Sequence, residues 1–595
     1  MENKWILSLG ALILLFQFSI AQEDADLIWW NPAESNSLVV EGQAWQGEII
    51  STYRRLPKQA EGVVREAVWN LSKHSAGLSL RFRSDAKSIT VRYKVKGNHA
   101  MPHMPATGVS GVDLYAKTSD GDWRWYRGKY SFADTIQYKY SNIDPNDKYH
   151  DKGREYQLYL PLYNEVEWLE IGVPEDAVME PLPLRQEKPI VVYGTSIAHG
   201  ACASRPGMAW TSILGRELDR PLINLAFSGN GRMEEEVINF ITQIDAKIFV
   251  LDCLPNLGAT KDRSLEEVRQ LIISGVKQIR TKRPSTPILV VEHDGYSDGA
   301  VDVDRYKTYT DLNRIAKEAF AQLQSEGLRD IHLLTKEELN LSMESFVDGT
   351  HPTDLGMMEY AVAYEKALRE ILKEPIGSIS TTIPVTQARE PEMYPWEGRH
   401  QELLEMNRDS APKICFFGNS ITHYWGGEPK ATLSNGADSW KANLDELQVR
   451  NFGFGWDRVE NVLWRIYHDE LDGFEAEQIV LMIGTNNEHL NTDDEILKGL
   501  EMVINAIKER QSNARVLLLG LFPRVDKEER MRNLNNGIAA LATSKNVDYA
   551  DIGKVLLGKD NKIDAGLFSD GLHPNAKGYR KVGKILKLAL QEGKN

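Results

Sequence analysis

Cysteine is scarce in this chain: Cys202, Cys253 and Cys415 are the three in 595 residues. That leaves no disulfide framework to rely on, and no Cys/His grouping has the spacing of a metal site, so neither a metal nor any other cofactor is expected. Excess positive charge is also missing. With 70 Lys+Arg against 85 Asp+Glu the formal net charge is -15, which provides no basic face for a phosphate backbone and argues against nucleic acid as a partner. Beyond the first residues no apolar run is long enough to cross a bilayer, so stable membrane insertion is not expected. Ser/Gly-rich and acidic low-complexity tracts are absent too, and 42% hydrophobic with 26% charged residues is the composition of folded globular protein.

What is present begins with an address. Lys4 precedes an apolar run over 6–20, small residues at Ser19 and Ala21 suit cleavage, and Gln22, Glu23 and Asp24 end the run. Residues 1–21 therefore read as a secretory signal, and the mature protein as exported to the periplasm or the extracellular space. At about 150 residues per domain the remainder holds several cores. Over 22–184 the pattern has period two: Ile89, Val91, Tyr93 and Val95 alternate with Thr90, Arg92 and Lys94, as half-buried strands do. Such strands punctuated by turns predict a β-sandwich. Trp29, Trp30, Trp123 and Trp125 in it suit either a core or a sugar ring.

From 185 to 374 continuous apolar runs alternate with amphipathic helices, the signature of a parallel sheet covered on both faces. Strands are predicted at 189–193, 248–251 and 287–291, and Ser264 to Glu267 is a capping box opening a helix. Residues 375–395, with Pro375, Pro384, Pro391 and Pro395 among Ser and Thr, read as an extended linker. The α/β pattern restarts over 396–595, with strands at 413–417, 479–483 and 515–519 and a helix capped by Thr492. The chain is thus multidomain, a sandwich followed by a long, degenerate α/β repeat.

Each repeat carries the parts of a nucleophilic hydrolase. Ser196 and Ser420 stand where a buried strand gives way to a helix, whose free N–H groups favour an alkoxide and the oxyanion it generates. Downstream, Asp348 precedes His351 by three residues, and Asp570 precedes His573 by three. A histidine removes the serine proton, and an aspartate on its other nitrogen fixes the tautomer. The Ser-to-His separations are 155 and 153 residues. One such set is weak, since caps and turns use the same residues; two sets in one order and spacing are not explained that way. Between them, Gly229 and Asn256 in the first repeat, and Gly455, Trp456 and Asn486 in the second, are candidates for stabilising the oxyanion. His423, Tyr424 and Trp425 suit either a substrate path or a packed helix start.

These blocks resemble the GDSL/SGNH hydrolase superfamily, named for its catalytic Ser, Gly, Asn and His. In the second repeat Gly418 to Ile421, Asn451 to Gly455, Gly484 to Asn487 and Gly520 to Arg524 resemble catalytic subunits of platelet-activating-factor acetylhydrolase. The resemblance implies two α/β/α, flavodoxin-like domains. It makes Ser196 and Ser420 the nucleophiles, Asp348/His351 and Asp570/His573 their partners, and Asn256 and Asn486 oxyanion donors. Two departures stand out. Trp456 occupies the place of the family's block glycine, which leaves Gly455 or Trp456 as donor, and Leu254-Pro255 replaces the usual glycine before Asn256. Gly111 to Tyr115 resembles the Gly-x-Asp-Leu-Tyr motif of a module that precedes bacterial SGNH esterases, which implies a jelly-roll-like sandwich. The function implied is acetyl-ester hydrolysis on an acetylated glycan. The alternatives are one idle lobe serving as a glycan-binding scaffold, or a lipid or thioester hydrolase.

Overall fold

The computed structural model describes residues 27–49, 51–144, 153–259 and 263–592. The expected secretory signal, 1–21, lies outside the described residues. The chain divides into two compact units, the first chiefly residues up to Ala367 and the second chiefly Leu368 onward.

In the first unit the alternating segments form two antiparallel sheets. One places Ser88–Val95 between Val166–Pro174 and Ile136–Ser141; the other places Arg154–Tyr159 between Ser79–Ser84 and Asp113–Lys117. Period two puts alternate side chains on one face, so Ile89, Val91 and Tyr93 from the first sheet join Leu80, Phe82 and Leu158 from the second in one core. Of the tryptophans, Trp29 lies 3.7 Å beneath the Arg92 guanidinium and Trp125 4.4 Å beneath that of Arg205.

The same unit holds the first α/β lobe. Its strands are apolar at successive rather than alternate positions because helices cover both faces: every residue of Ile190–Gly194, Ile248–Asp252 and Ile288–Val291 is buried. The parallel order is Leu222–Asn224, Ile190–Gly194, Ile248–Asp252, Ile288–Val291, Ile331–Leu334. The first strand in sequence therefore lies between the second and the third, and the chain leaves it in opposite directions, which opens a crevice at its carboxyl end. Ser196 stands there.

A domain limit at 184/185 is not a limit between cores. Trp45, Leu56, Val68 and Trp69 pack with Val191, Phe249 and Val290 of the α/β lobe. The strands upstream and downstream of this stretch alternate, whereas it contains the short helix Glu66–Ser72, whose buried Val68 and Trp69 turn toward the lobe.

The second unit repeats the parallel order with Val449–Gly453, Ile414–Gly418, Gln478–Met482, Arg515–Leu519 and Asp548–Ala550. Residues 375–395, read from composition as a linker, are instead a packed strap. Thr381, Gln387 and Arg389 are buried; the Thr381 hydroxyl donates to the Glu495 carbonyl at 2.6 Å and the Gln387 amide to the Gly455 carbonyl at 2.9 Å. Proline and threonine did signal extended backbone, but polar side chains that seek loop carbonyls read the same as polar side chains that seek water. Among the described residues no helix is long and apolar enough to cross a membrane, and all three cysteines are free and buried.

Gly499 marks how closely the strap lies. A Cβ there would stand 2.7 Å from the Thr381 carbonyl oxygen, a backbone atom that cannot rotate aside. Gly499→Ala gains about 1 kcal/mol of helix propensity but incurs an overpacking cost of about 1–3 kcal/mol. Calorimetry should show a lower melting temperature for the second unit; a higher one would mean that the strap yields.

Candidate active sites

The two Ser/Asp/His sets are each brought together. Ile190–Gly194 runs into Thr195, whose side chain caps Ser196–His199, and Gly200 ends this turn with φ +107°. In the second lobe Asn419 caps Ser420–His423, accepting from the Ile421 amide at 3.0 Å. Both helices are single turns, so the expected help from a helix terminus reduces to local N–H groups. Ser196 Oγ lies 2.9 Å from His351 Nε2, and Ser420 Oγ lies 2.8 Å from His573 Nε2. On the far ring nitrogens, His351 Nδ1 meets Asp348 Oδ2 at 2.8 Å and His573 Nδ1 meets Asp570 Oδ2 at 2.6 Å.

The short Asp-x-x-His spacing works because one carboxylate serves both ring and backbone. Asp348 Oδ1 accepts from the His351 amide at 2.8 Å, as Asp570 Oδ1 does from the His573 amide at 2.7 Å. Partial burial pushes both carboxyls up, but the hydrogen bonds from their histidines outweigh it and hold each below the ordinary aspartate value. Both remain ionised to orient an imidazolium. The loops are closed alike, by isolated bridges between Phe346 and Pro352 and between Phe568 and Pro574.

The oxyanion segments also superimpose in their bonding. Asn224 and Asn451 each end or cross the strand next to the nucleophile strand, and each accepts from the amide two residues on, that of Ala226 and of Gly453. Counting on from these asparagines, Gly229 and Trp456 occupy the same place, and both are left-handed, at φ +68° and +60°. Trp456 thus fills the glycine position. The Gly455 amide points elsewhere, donating to His423 Nδ1 at 3.1 Å, so of the two candidates Gly455 is the structural one. A bulky residue held left-handed costs about 1–2 kcal/mol, which the surroundings must offset; the Tyr394 hydroxyl and Gln387 amide both hold the Gly455 carbonyl. Asn256 is fixed by its Oδ1, which accepts from the Gly231 amide at 3.1 Å, and Asn486 by its Nδ2, which donates to the Asp457 carbonyl at 3.0 Å. Each amide keeps an N–H for a developing negative charge.

Sequence reasoning missed Arg55, Arg399, His199 and His103, and left His423, Tyr424 and Trp425 open between a substrate path and a packed helix start. Arg55, upstream of most sandwich strands, donates from Nη1 to the carbonyls of Asn224 and Ala226 at 3.1 and 2.7 Å. Arg399, in the helix Trp396–Asp409, donates from Nη2 and Nε to those of Asn451 and Gly453 at 3.1 and 2.9 Å. The two guanidinium groups also lie over matching rings, Phe227 at 5.2 Å and Phe454 at 5.3 Å. His199 and His423, each three residues after its serine, are buried and kept neutral: burial first, then neighbouring arginines, lower both, His423 to about 2. The repeated Ser-x-x-His was the available signal. His103, on the sandwich, brings its ring centroid to 6.0 Å from that of His351. Tyr424 does the same to His573 at 6.2 Å, whereas Trp425 is fully buried core.

Hydroxyl, imidazole, carboxylate and converging amides make up the apparatus of a serine ester hydrolase. Residues 187–369 and 416–581 match models of the GDSL-like lipase/acylhydrolase family, and residues 27–179 match the N-terminus of SGNH-hydrolase-type esterases. The human platelet-activating factor acetylhydrolase IB subunit alpha2 is 30% identical over 196 residues, 32% of this chain and 81% of that one. The bovine alpha1 subunit is 29% identical over 200 residues, 33% of this chain and 82% of that one. A crystal structure described as a GDSL-like lipase, from Bacteroides ovatus ATCC 8483, shares 31% identity with a TM-score of 0.53, covering 58% of this chain and 98% of that one. The chain belongs to the GDSL-like lipase/acylhydrolase, or SGNH hydrolase, family and carries its domain twice.

Two outcomes follow from these surroundings. Arg399→Met leaves buried carbonyls at Asn451, Gly453 and Pro429 without their donor; at about 1–3 kcal/mol for each such group, the second unit should lose at least about 3 kcal/mol in chemical denaturation. Asp252, paired in register with Gly194 beneath the first serine, is pushed up to about 7, by burial first and then by Asp294, against an opposing bond from Tyr364. The unfolded chain therefore releases this proton near pH 4 and the folded chain only near 7, so stability falls as pH rises between them. Asp252→Asn should match the parent's unfolding free energy near pH 4 and exceed it at pH 8 by on the order of a few kcal/mol in chemical denaturation; an equal gain at both values would discount the carboxyl.

Proposed function

We propose that this protein is an exported, two-headed esterase that removes acetyl groups from glycans. The observation that carries the two-headed reading is the geometry above: in each lobe the serine hydroxyl lies within hydrogen-bond distance of an imidazole already oriented by a carboxylate. Acetyl as the acyl group is supported by the acetylhydrolase relatives of the second lobe. A glycan as the alcohol is supported by the polar groups beside the two histidines, His103 in one lobe and Tyr424 in the other. Export rests on the N-terminal residues alone.

In each head the serine Oγ attacks the acetyl carbonyl while His351 or His573 accepts its proton. The tetrahedral oxyanion is met by the serine amide, by the amide at Gly229 or Trp456, and by the side chain of Asn256 or Asn486. Collapse expels the sugar oxygen, which takes the proton back from the histidine. Water, deprotonated by the same imidazole, then attacks the acyl-serine and releases acetate.

Acetate release from acetylated xylan and related glycans by Ser196→Ala, Ser420→Ala and the double variant tests this. Each single variant should keep part of the activity, and the double should lose on the order of 10⁴- to 10⁶-fold in turnover. Complete loss in one single variant would assign catalysis to that lobe and a binding or scaffolding role to the other. Undiminished activity in the double would end the scheme.

A further inference from the structure

The proton that the serine gives up must finally reach the departing alcohol oxygen, so the alcohol half of the ester lies against the face of the histidine that carries it. In the second lobe the strap brings a carboxyl into the surroundings of His573. Tyr424, whose ring centroid is 6.2 Å from that of His573, donates from its hydroxyl to Glu390 Oε2 at 2.5 Å. The carboxyl also feels the charge of His573. It lies flat on the oxyanion loop: a Cβ on Gly455 would stand 2.1 Å from Glu390 Oε2 and 2.8 Å from the Tyr424 hydroxyl.

The placement is rigid on the strap side. The Met393 amide donates to the Glu390 carbonyl at 3.0 Å, the Arg389 amide to Gln387 Oε1 at 2.7 Å, and Gln387 and Tyr394 both hold the Gly455 carbonyl. Glu390 is half-buried, and among the described residues its Oε1 takes no hydrogen bond. Glu390 thus holds Tyr424 with one carboxyl oxygen and keeps the other able to accept from a donor that reaches the site.

We propose that Glu390 is a specificity-determining residue of the second site, where it accepts a hydrogen bond from a hydroxyl on the alcohol half of the ester. This rests on the reading of Ser420 as a working nucleophile. The substrate class it selects is esters of polyhydric alcohols, sugars among them, over esters of simple alkanols. Burial raises the Glu390 carboxyl, with Tyr424 and His573 opposing; an acid and a carboxylate both retain an acceptor oxygen, so selection survives either state. In the first lobe the ring 6.0 Å from that of His351 is His103, and its head should not share the Glu390-dependent preference.

The test uses the full chain carrying Ser196→Ala, so that only the second head turns over, with glyceryl monoacetate and propyl acetate as probes. Glu390→Ala should lower the ratio of kcat/KM for the hydroxylated ester over the plain one at least tenfold, a loss a site built for a hydroxyl shows when its acceptor is removed. Glu390→Gln, which keeps an amide oxygen, should restore much of the ratio and guards against a folding defect in the alanine variant. A ratio unchanged within twofold in both variants overturns the proposal and leaves Glu390 as a buttress for Tyr424. No turnover of either ester by the Ser196→Ala parent overturns the proposal together with the two-headed reading. A Glu390-dependent ratio without acetate release from any glycan supports the proposal while rejecting the glycan.

Discussion

A buried guanidinium gripping two carbonyls is the interaction on which each α/β lobe depends. The segment that leaves the strand beside the nucleophile must turn its backbone toward the crevice, which strips its carbonyls of sheet partners inside the protein. Arg55 and Arg399 supply the missing donors to equivalent carbonyls, and stack on equivalent phenylalanines while doing so. A planar fork presents several N–H groups in fixed directions, so it can hold two carbonyls at once in one defined orientation, which a freely rotating ammonium does not impose. With the carbonyls pinned, the residue that follows can be held left-handed, and its amide can be aimed at the place where charge develops.

The two lobes share that core solution and draw the external parts of it from different stretches of chain. In the first, Tyr163 of the sandwich packs its ring 4.3 Å from that of His199; in the second, Tyr394 of the strap packs 4.6 Å from that of His423. The parallel sheet and its serine are therefore an incomplete unit. Each needs a tyrosine and an arginine contributed by sequence that precedes its nucleophile strand, which accounts for the sandwich sharing a core with the first lobe and the strap lying packed rather than loose.

The legible parts of the sequence were those whose chemistry is local. Strands announced themselves by apolar runs, the Ser264 and Thr492 caps by their spacing to glutamate, and the Asp-x-x-His pairs by a turn that a single carboxylate can satisfy. The serines were identifiable because each sits where a strand must stop. Arg55 and Arg399 were not legible, since one lies far upstream among sandwich strands and the other in the helix before its nucleophile strand, and an arginine that seeks carbonyls is indistinguishable in sequence from a solvated one. Glu390 was hidden for a related reason: proline-rich composition reports backbone extension and is silent about what the extended chain touches. Trp456 was the informative anomaly. A residue wrong for its φ is tolerated only where neighbours overrule it, and those neighbours proved to be the strap.

The neutral histidines under the serines set a limit on the milieu in which this enzyme can persist. Burial, with nearby arginines, keeps His423 from taking up a proton until about pH 2, and lowers His74 to about 4 and His199 as well. An unfolded chain accepts those protons below about 6.5, so these histidines withdraw stability as the pH falls beneath that point, opposite in sign to the contribution of Asp252. Ester hydrolysis releases an acid, so each turnover adds protons to the medium in which these histidines must stay neutral.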